Sequence, residues 1–362
     1  MLFVGMVVGL LLGMHVVVYK ALVSVFQVTS ETCLLCMKIS LGFLGASFIA
    51  AFFISSKFNT FLTRFFYTVS VTWLGTVAFL FFASCLYFVA SLFLAQNLEH
   101  LLLVGKGLLA TALMISIYGV YNANRIVIKP VSIKLKNLPE SWKGRRAVFL
   151  SDVHLGQVRG VEFSERIARK IKEINPDIIF NTGDLYDGLK VDPVAVIEPF
   201  KKLNPPLGTF FVMGNHEEFE DNSVYAKAIE AAGIRVLDNE VTDVEGVQIV
   251  GVDYLATSHN DAFVKALGSI TLDADRPTIL LKHVPIHLET AERAGIDLQL
   301  SGHTHRAQIF PLSLITKIIF RGYDYELKPL GNMQVLTTSG VGTWGPPLRV
   351  GSNSEIVVIT FE

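Results

Sequence analysis

The stretch Ser151-Asp152-Val153-His154-Leu155-Gly156 decides how the chain is read. It follows a short apolar run, Ala147 to Leu150, bounded by Lys143-Gly144-Arg145-Arg146, which predicts a buried strand. Asp152 and His154 then stand where a strand gives way to a loop. Two residues apart along a strand direction, their side chains point to the same side, so a carboxylate oxygen and an imidazole nitrogen can reach one ion. A single Asp-x-His pair also fits a loop carboxylate that caps backbone amides beside a surface histidine. What decides for the ion is the recurrence of the same residue types at strand ends further on.

Downstream, the strand Pro176-Asp177-Ile178-Ile179-Phe180 ends in Asn181-Thr182-Gly183-Asp184-Leu185-Tyr186-Asp187, and the strand Thr209 to Met213 ends in Gly214-Asn215-His216-Glu217. Thr278 to Leu281 leads into Lys282-His283-Val284-Pro285, and Leu298 to Leu300 into Ser301-Gly302-His303-Thr304-His305-Arg306. Helical spacing at Ser164 to Ile174, Pro193 to Leu203 and Val224 to Ala232 lies between these strands. Shorter strands are expected near 234–237, 241–244 and 247–250, and late ones at 334–338 and 355–361. This alternation predicts an α/β layered domain, in which ligand-bearing residues gather at the carboxyl ends of the strands. Asp152, His154, Asp184, Asn215, His283, His303 and His305 offer two carboxylates, one amide oxygen and four imidazoles, with His216 in addition. That is too many for one tetrahedral ion and suits two ions about 3.5 to 4 Å apart sharing a carboxylate. Gly183, Gly214 and Gly302, each just before a ligand, permit the tight backbone this requires.

Upstream the texture is different. Of 31 basic and 32 acidic residues, only Lys20, Lys38, Lys57, Arg64 and Lys106 and only Glu31 and Glu99 lie before Ala123, leaving 26 and 30 for the remainder. Apolar runs at 2–19, about 32–54, about 65–94 and about 101–121 are long enough to cross a bilayer and predict four membrane helices. The first lacks the basic start and the small-residue cleavage site of a signal peptide, so it reads as retained. Lys38 and Lys106 lie near helix ends, where a lysine snorkels to the interface. An even number of spans puts both termini on one side. Lys57 and Arg64 in the second loop stand with Arg125, Lys129, Lys134 and Lys136 against Lys20 on the other side. On charge alone this favours a cell-membrane protein with its catalytic domain on the cytoplasmic face. Ile126, Ile128, Val131, Ile133 and Leu135, interrupted by Pro130, predict an edge strand joined to the last span without a linker. Cys33, Cys36 and Cys85 all lie in the apolar part, which excludes a disulfide framework for the soluble part. The slightly acidic soluble part, with no long Lys/Arg run, gives no support for a nucleic-acid partner.

Taken in order, Asp152-x-His154, Gly183-Asp184-x-x-Asp187, Gly214-Asn215-His216-Glu217, His283 and Gly302-His303-x-His305 resemble the calcineurin-like metallophosphoesterase superfamily, over roughly Leu135 to Glu362. The resemblance implies a two-sheet αββα sandwich at 125–362 behind a four-helix transmembrane region at 1–124. It implies a first metal held by Asp152, His154, Asp184 and His305, and a second held by Asp184, Asn215, His283 and His303. It further implies His216 as catalytic acid or phosphate contact, oriented by Asp187. Two divalent ions, manganese, iron or zinc, are expected, since the mixed oxygen and imidazole set does not choose between them. Gly342-Thr343-Trp344-Gly345-Pro346-Pro347-Leu348-Arg349 looks like the bacterial branch of membrane-tethered phosphoesterases. The family pattern often has glycines after the last histidine pair; here Arg306-Ala307-Gln308 stands instead, and Arg306 is a candidate for bidentate contact with a substrate phosphate. The expected function is hydrolysis of phosphoester or pyrophosphate bonds at a membrane. A lipid-linked or nucleotide-lipid substrate is a candidate because the likeness includes the UDP-diacylglucosamine pyrophosphate hydrolases. The alternative is a non-catalytic sensor or scaffold with a structural metal-binding domain. His259 and His287 read as surface histidines, and Trp344 as either a pocket wall or part of a stiff turn.

Overall fold

A long apolar run in lipid must satisfy every backbone N–H and C=O within itself, which leaves helix as the solution. The computed structural model describes residues 2–94, 96–219 and 222–362, and its first part forms α1 (Leu2–Val25), α2 (Glu31–Ser55), α3 (Phe61–Leu94) and α4 (Leu98–Asn124). All four are long and apolar enough to cross a membrane, and each extends beyond the run read from the sequence at one end or both. Helices turn polar before they stop, so apolar runs understate their length. Polar side chains inside bond back to carbonyls of their own helix, as Ser84 and Ser116 do, or to one another across helices, as Ser24 and Tyr87 do. His15 donates from Nδ1 to the Leu11 carbonyl at 2.7 Å and accepts at Nε2 from Trp73 Nε1 at 2.9 Å, which uses both ring nitrogens of a neutral imidazole.

The chain divides into two compact units, Met1–Asn122 with Gly345–Leu348, and Ala123–Trp344 with Arg349–Glu362. Among its described residues the second unit holds twelve strands: β1 (Ile126–Ile133), β2 (Arg146–Leu150), β3 (Ile178–Asn181), β4 (Thr209–Phe211), β5 (Arg235–Val236), β6 (Glu240–Val244), β7 (Val247–Gly251), β8 (Thr278–Leu281), β9 (Leu298–Ser301), β10 (Glu326–Leu330), β11 (Met333–Thr337) and β12 (Ser354–Phe361). They form two six-stranded sheets, in the order β1-β12-β2-β3-β4-β5 and β10-β11-β9-β8-β7-β6. The helices are α5 (Val161–Ile174), α6 (Pro193–Ile197), α7 (Asn222–Ala231), α8 (Tyr254–Thr257), α9 (Asn260–Gly268), α10 (Leu288–Arg293) and α11 (Ser313–Ile319).

Strand alternation splits the apolar residues into layers. Ala147 and Phe149 of β2 join Phe180, Ile249, Leu281, Leu300 and Leu336 in a core between the two sheets. Val148 and Leu150, on the opposite face of β2, pack with Ile167, Ile171, Val196 and Ile229 of α5, α6 and α7. Phe263, Leu267, Leu288 and Ala291 of α9 and α10 cover the second sheet. The result is the αββα sandwich expected. β1 is an edge strand, parallel to β12, and tolerates Pro130 for that reason. One expected element is shorter: the helix read over 193–203 stops at Ile197 and gives way to a 3-10 turn, Glu198–Lys202, because Pro199 cannot donate to the helical ladder. The elements α8 to α11 and β10 were not read from the sequence.

Candidate metal centre

β2, β3, β4, β8 and β9 end at Leu150, Asn181, Phe211, Leu281 and Ser301, so Asp152, Asp184, Asn215, His283 and His303 each follow a strand by two to four residues. The local geometry differs from simple strand alternation. Asp152, His154, Asp184, His303 and His305 all adopt left-handed φ, at 53°, 51°, 53°, 69° and 48°. Each such residue costs on the order of 1–3 kcal/mol and persists only where its surroundings over-determine it. Here the loops hold one another. Asp152 N donates to Gly183 O and His154 N to Asp184 O, both at 3.0 Å, while Gly302 N donates to His283 O at 2.9 Å. Close approach also explains two glycines: a Cβ at Gly302 would lie 1.9 Å from Ser151 Oγ, and one at Gly214 would lie 2.2 Å from Asp184 Oδ1.

The seven side chains converge. His154 Nε2 and His305 Nε2 lie 2.9 Å apart, and Asp152 Oδ1 is 3.4 Å from His305 Nε2. Asp184 Oδ2 is 3.8 Å from His154 Nε2 and 3.2 Å from His283 Nε2, so it faces both groups. Asn215 Oδ1 is 3.1 Å from His283 Nε2 and 2.9 Å from His303 Nδ1. Three groups of ligand atoms are spaced to hold a metal ion: Asp152, His154 and His305; His154, Asp184 and His216; Asp184, His283 and His303. Asp152, His154, Asp184 and His283 are almost wholly buried.

Electrostatics and tautomers test whether this donor set fits a cation. Burial alone would raise Asp184, but His283, His154 and His216 outweigh it and hold its carboxyl below the ordinary carboxylate range. Burial raises the Asp152 carboxyl, and Asp184 adds to that. Burial would lower His283, but Asp184 and Asp152 pull it up to about 9. His303 is lowered to about 3 by burial and by His283, and His305 falls well below 6.5 through burial and His154. His283 donates from Nδ1 to the Thr182 carbonyl at 2.7 Å, which leaves Nε2 as the ring atom that faces Asp184 Oδ2. The two carboxylates favour a positive charge at His283 Nε2, whether a proton or a metal ion, and the lowered His303 and His305 imidazoles are in the neutral form that ligates metals. The donor set fits two divalent ions of the kind bound by mixed oxygen and nitrogen ligands.

The sequence profile of the family described as calcineurin-like phosphoesterase matches residues 145–307. An uncharacterized metallophosphoesterase of Aquifex aeolicus is 30% identical over 264 residues, covering 69% of this chain and 97% of that protein. This chain belongs to the calcineurin-like metallophosphoesterases. A transmembrane protein with metallophosphoesterase domain from Danio rerio is 32% identical over 272 residues, covering 70% of this chain and 62% of that protein. An uncharacterized metallophosphoesterase of Helicobacter pylori is 33% identical over 237 residues, covering 64% of this chain and 63% of that protein. The chain thus spans about three-fifths of the length of these two relatives. With four candidate spans and a transmembrane relative, this metallophosphoesterase is a membrane protein.

Two expected residues are placed differently from their assigned partners. His216 Nδ1 donates to the main-chain carbonyl of Asp187 at 3.0 Å, whereas the Asp187 carboxylate lies 3.5 Å from His154 Nδ1. The Asp187 backbone, rather than its side chain, therefore orients His216. Burial and His154 lower the His216 imidazole below its ordinary value. Arg306 stacks its guanidinium 4.5 Å from the Tyr325 ring centre, half-buried beside the His303–His305 turn.

Two positioning residues had no assigned role. Glu217 is fully buried and accepts from Asp184 N at 2.9 Å, Gly214 N at 2.8 Å and Tyr186 N at 3.0 Å, tying the Asp184 and Asn215 loops together. Arg349, also fully buried, donates to the carbonyls of Ser339 at 2.6 Å, Gly342 at 2.7 Å and His305 at 3.3 Å. A charged residue directly after Gly-Asn-His, and another closing an apolar Gly-Pro turn, were the available signals.

Proposed function

We propose that this metallophosphoesterase is a membrane-anchored two-metal phosphohydrolase that cleaves phosphoester or pyrophosphate bonds. The observation that carries the reading is the convergence of Asp184 Oδ2 on both ligand groups, 3.8 Å from His154 Nε2 and 3.2 Å from His283 Nε2. One site would use Asp152, His154, Asp184 and His305, and the other Asp184, Asn215, His283 and His303, with Asp184 shared. Two divalent cations, manganese, iron or zinc, supply a water of low pKa and neutralise phosphoryl charge when bound. His216, held through Nδ1–H by the Asp187 carbonyl, is positioned so that its Nε2, once protonated, can donate to a phosphoryl oxygen or pass that proton to the leaving oxygen. Arg306 offers a planar fork for a second phosphoryl oxygen.

The catalytic domain is assigned to residues 125–362 behind a helical region at 1–124. A lipid-linked or nucleotide-lipid phosphate is the favoured substrate class, because α4 ends at Asn124 and β1 begins at Ile126, leaving one residue between them. The basic residues beside the second loop and after α4 favour the cytoplasmic face of the cell membrane. The detergent-solubilised protein, loaded with manganese, should hydrolyse bis-p-nitrophenyl phosphate, and Asp184→Ala and His303→Ala should abolish the activity. Wild type as inert as both variants across metals and esters would leave a metal-holding scaffold instead.

A further inference from the structure

The most exposed apolar surface of the α/β unit lies just beyond the metal-site turn. α11 has no buried residue. Phe310, Leu312, Leu314, Ile315, Ile318 and Ile319 are all exposed, Ile318 to 78%. Leu312, Ile315 and Ile319 recur at helical spacing, as do Leu314 and Ile318, so the segment carries apolar side chains around most of its circumference. Elsewhere in this unit exposed large apolar residues such as Val194, Val224 and Leu255 stand singly. A contiguous apolar run left in water marks a binding surface.

Charge and connection identify the occupant. Between Asp297 and Asp324 there is no acidic residue, while Arg306, Lys317 and Arg321 are basic. Lys317 is exposed on α11; Arg321 is exposed as well and shares its charge with Glu289 at 2.6 Å. A short apolar segment with only basic charge suits the boundary between acyl chains and anionic headgroups. β1 of the unit that carries it follows α4 in sequence after Arg125, so a bilayer is present at high effective concentration.

We propose that Ile309 to Arg321 is a membrane-docking element that lays Leu312, Leu314, Ile315, Ile318 and Ile319 into the lipid interface, with Lys317 at the headgroups. Docking does not depend on the catalytic reading. Its position matters to the site all the same, since the Phe320 ring lies 6.2 Å from that of His303.

The test places a photo-reactive benzophenone side chain at Ile318 of the full chain, reconstituted in phosphatidylcholine bilayers with and without phosphatidylglycerol. Illumination should yield lipid adducts by mass spectrometry, and Lys317→Glu should cut their yield in the anionic bilayer by about 5-fold or more. An unchanged thermal transition shows that the labelled chain is folded, and Leu314 serves as the label site if it is not. Adducts to a second copy of the chain or to another protein in place of lipid would overturn the proposal. So would no adduct, or a yield indifferent to Lys317→Glu.

Discussion

The two sheets contribute opposite chemistry to one site. Loops from the first sheet, after β2, β3 and β4, bring the oxygen donors Asp152, Asp184 and Asn215 together with His154, whereas loops from the second, after β8 and β9, bring only imidazoles, His283, His303 and His305. They are also held differently. The oxygen half is fixed by main-chain N–H groups: His303 N donates to Asp152 at 2.9 Å, His216 N to Asp184 at 2.9 Å, and Glu217 gathers three more. The imidazole half is fixed by acceptors and buried cations, with the Thr182 carbonyl on His283, Arg349 beneath His305, and Lys282 Nζ donating to the Val284 carbonyl at 3.0 Å. The difference teaches that neither sheet alone presents a complete ligand set. The carboxylates are held by donors and the His283 imidazole by an acceptor, and the two halves meet in one cluster.

The comparison can be broken most severely at the residue both halves share. Asp184→Ala should lower phosphodiester hydrolysis by about a thousandfold or more while the thermal transition of the apo-protein persists. On the imidazole side, Arg349→Met leaves buried carbonyls of Ser339 and Gly342 without donors, and a loss of about 3 kcal/mol of stability is expected in denaturant titration. On the oxygen side, Glu217→Gln keeps the shape but turns an amide N–H toward a backbone N–H; metal affinity and kcat/KM should fall by about 10- to 100-fold in metal titrations and steady-state assays. Outside the site the effect should be smallest. Burial, aided by Glu218 and Asp238, raises Asp253 from 3.8 to about 6. A carboxyl raised on folding favours the folded state while protonated, so stability is lost as pH climbs from about 4 through about 6. Asp253→Asn, which can still accept from Leu255 N, should therefore melt slightly higher than wild type above pH 6 and identically below pH 4.

Much of this could be read from residues before any coordinates. The four apolar runs and the five strand-end motifs carry their meaning locally, in composition and spacing, and each corresponds to a helix or to a loop that carries candidate ligands. What was hidden depends on distant neighbours. The convergence of Asp152 and His154 comes from left-handed backbone stabilised by loops some 30 and 150 residues away, not from strand alternation. Asp187 resembled a side-chain partner for His216, yet its main chain does that work, and no residue identity encodes which atom will be used. Glu217 acquires its role only when the Asp184 and Asn215 loops close on it. α11 escaped notice because its apolar residues face water, and periodicity is read on the premise that such residues face a core.

The central claim is that both halves share a pair of ions through Asp184, and metal counting on the purified protein addresses it directly. Titration with manganese, followed by elemental analysis after gel filtration, should give two ions per chain in the wild type and fewer than one in Asp184→Ala. A single ion in the wild type, or two ions retained by Asp184→Ala, would contradict it.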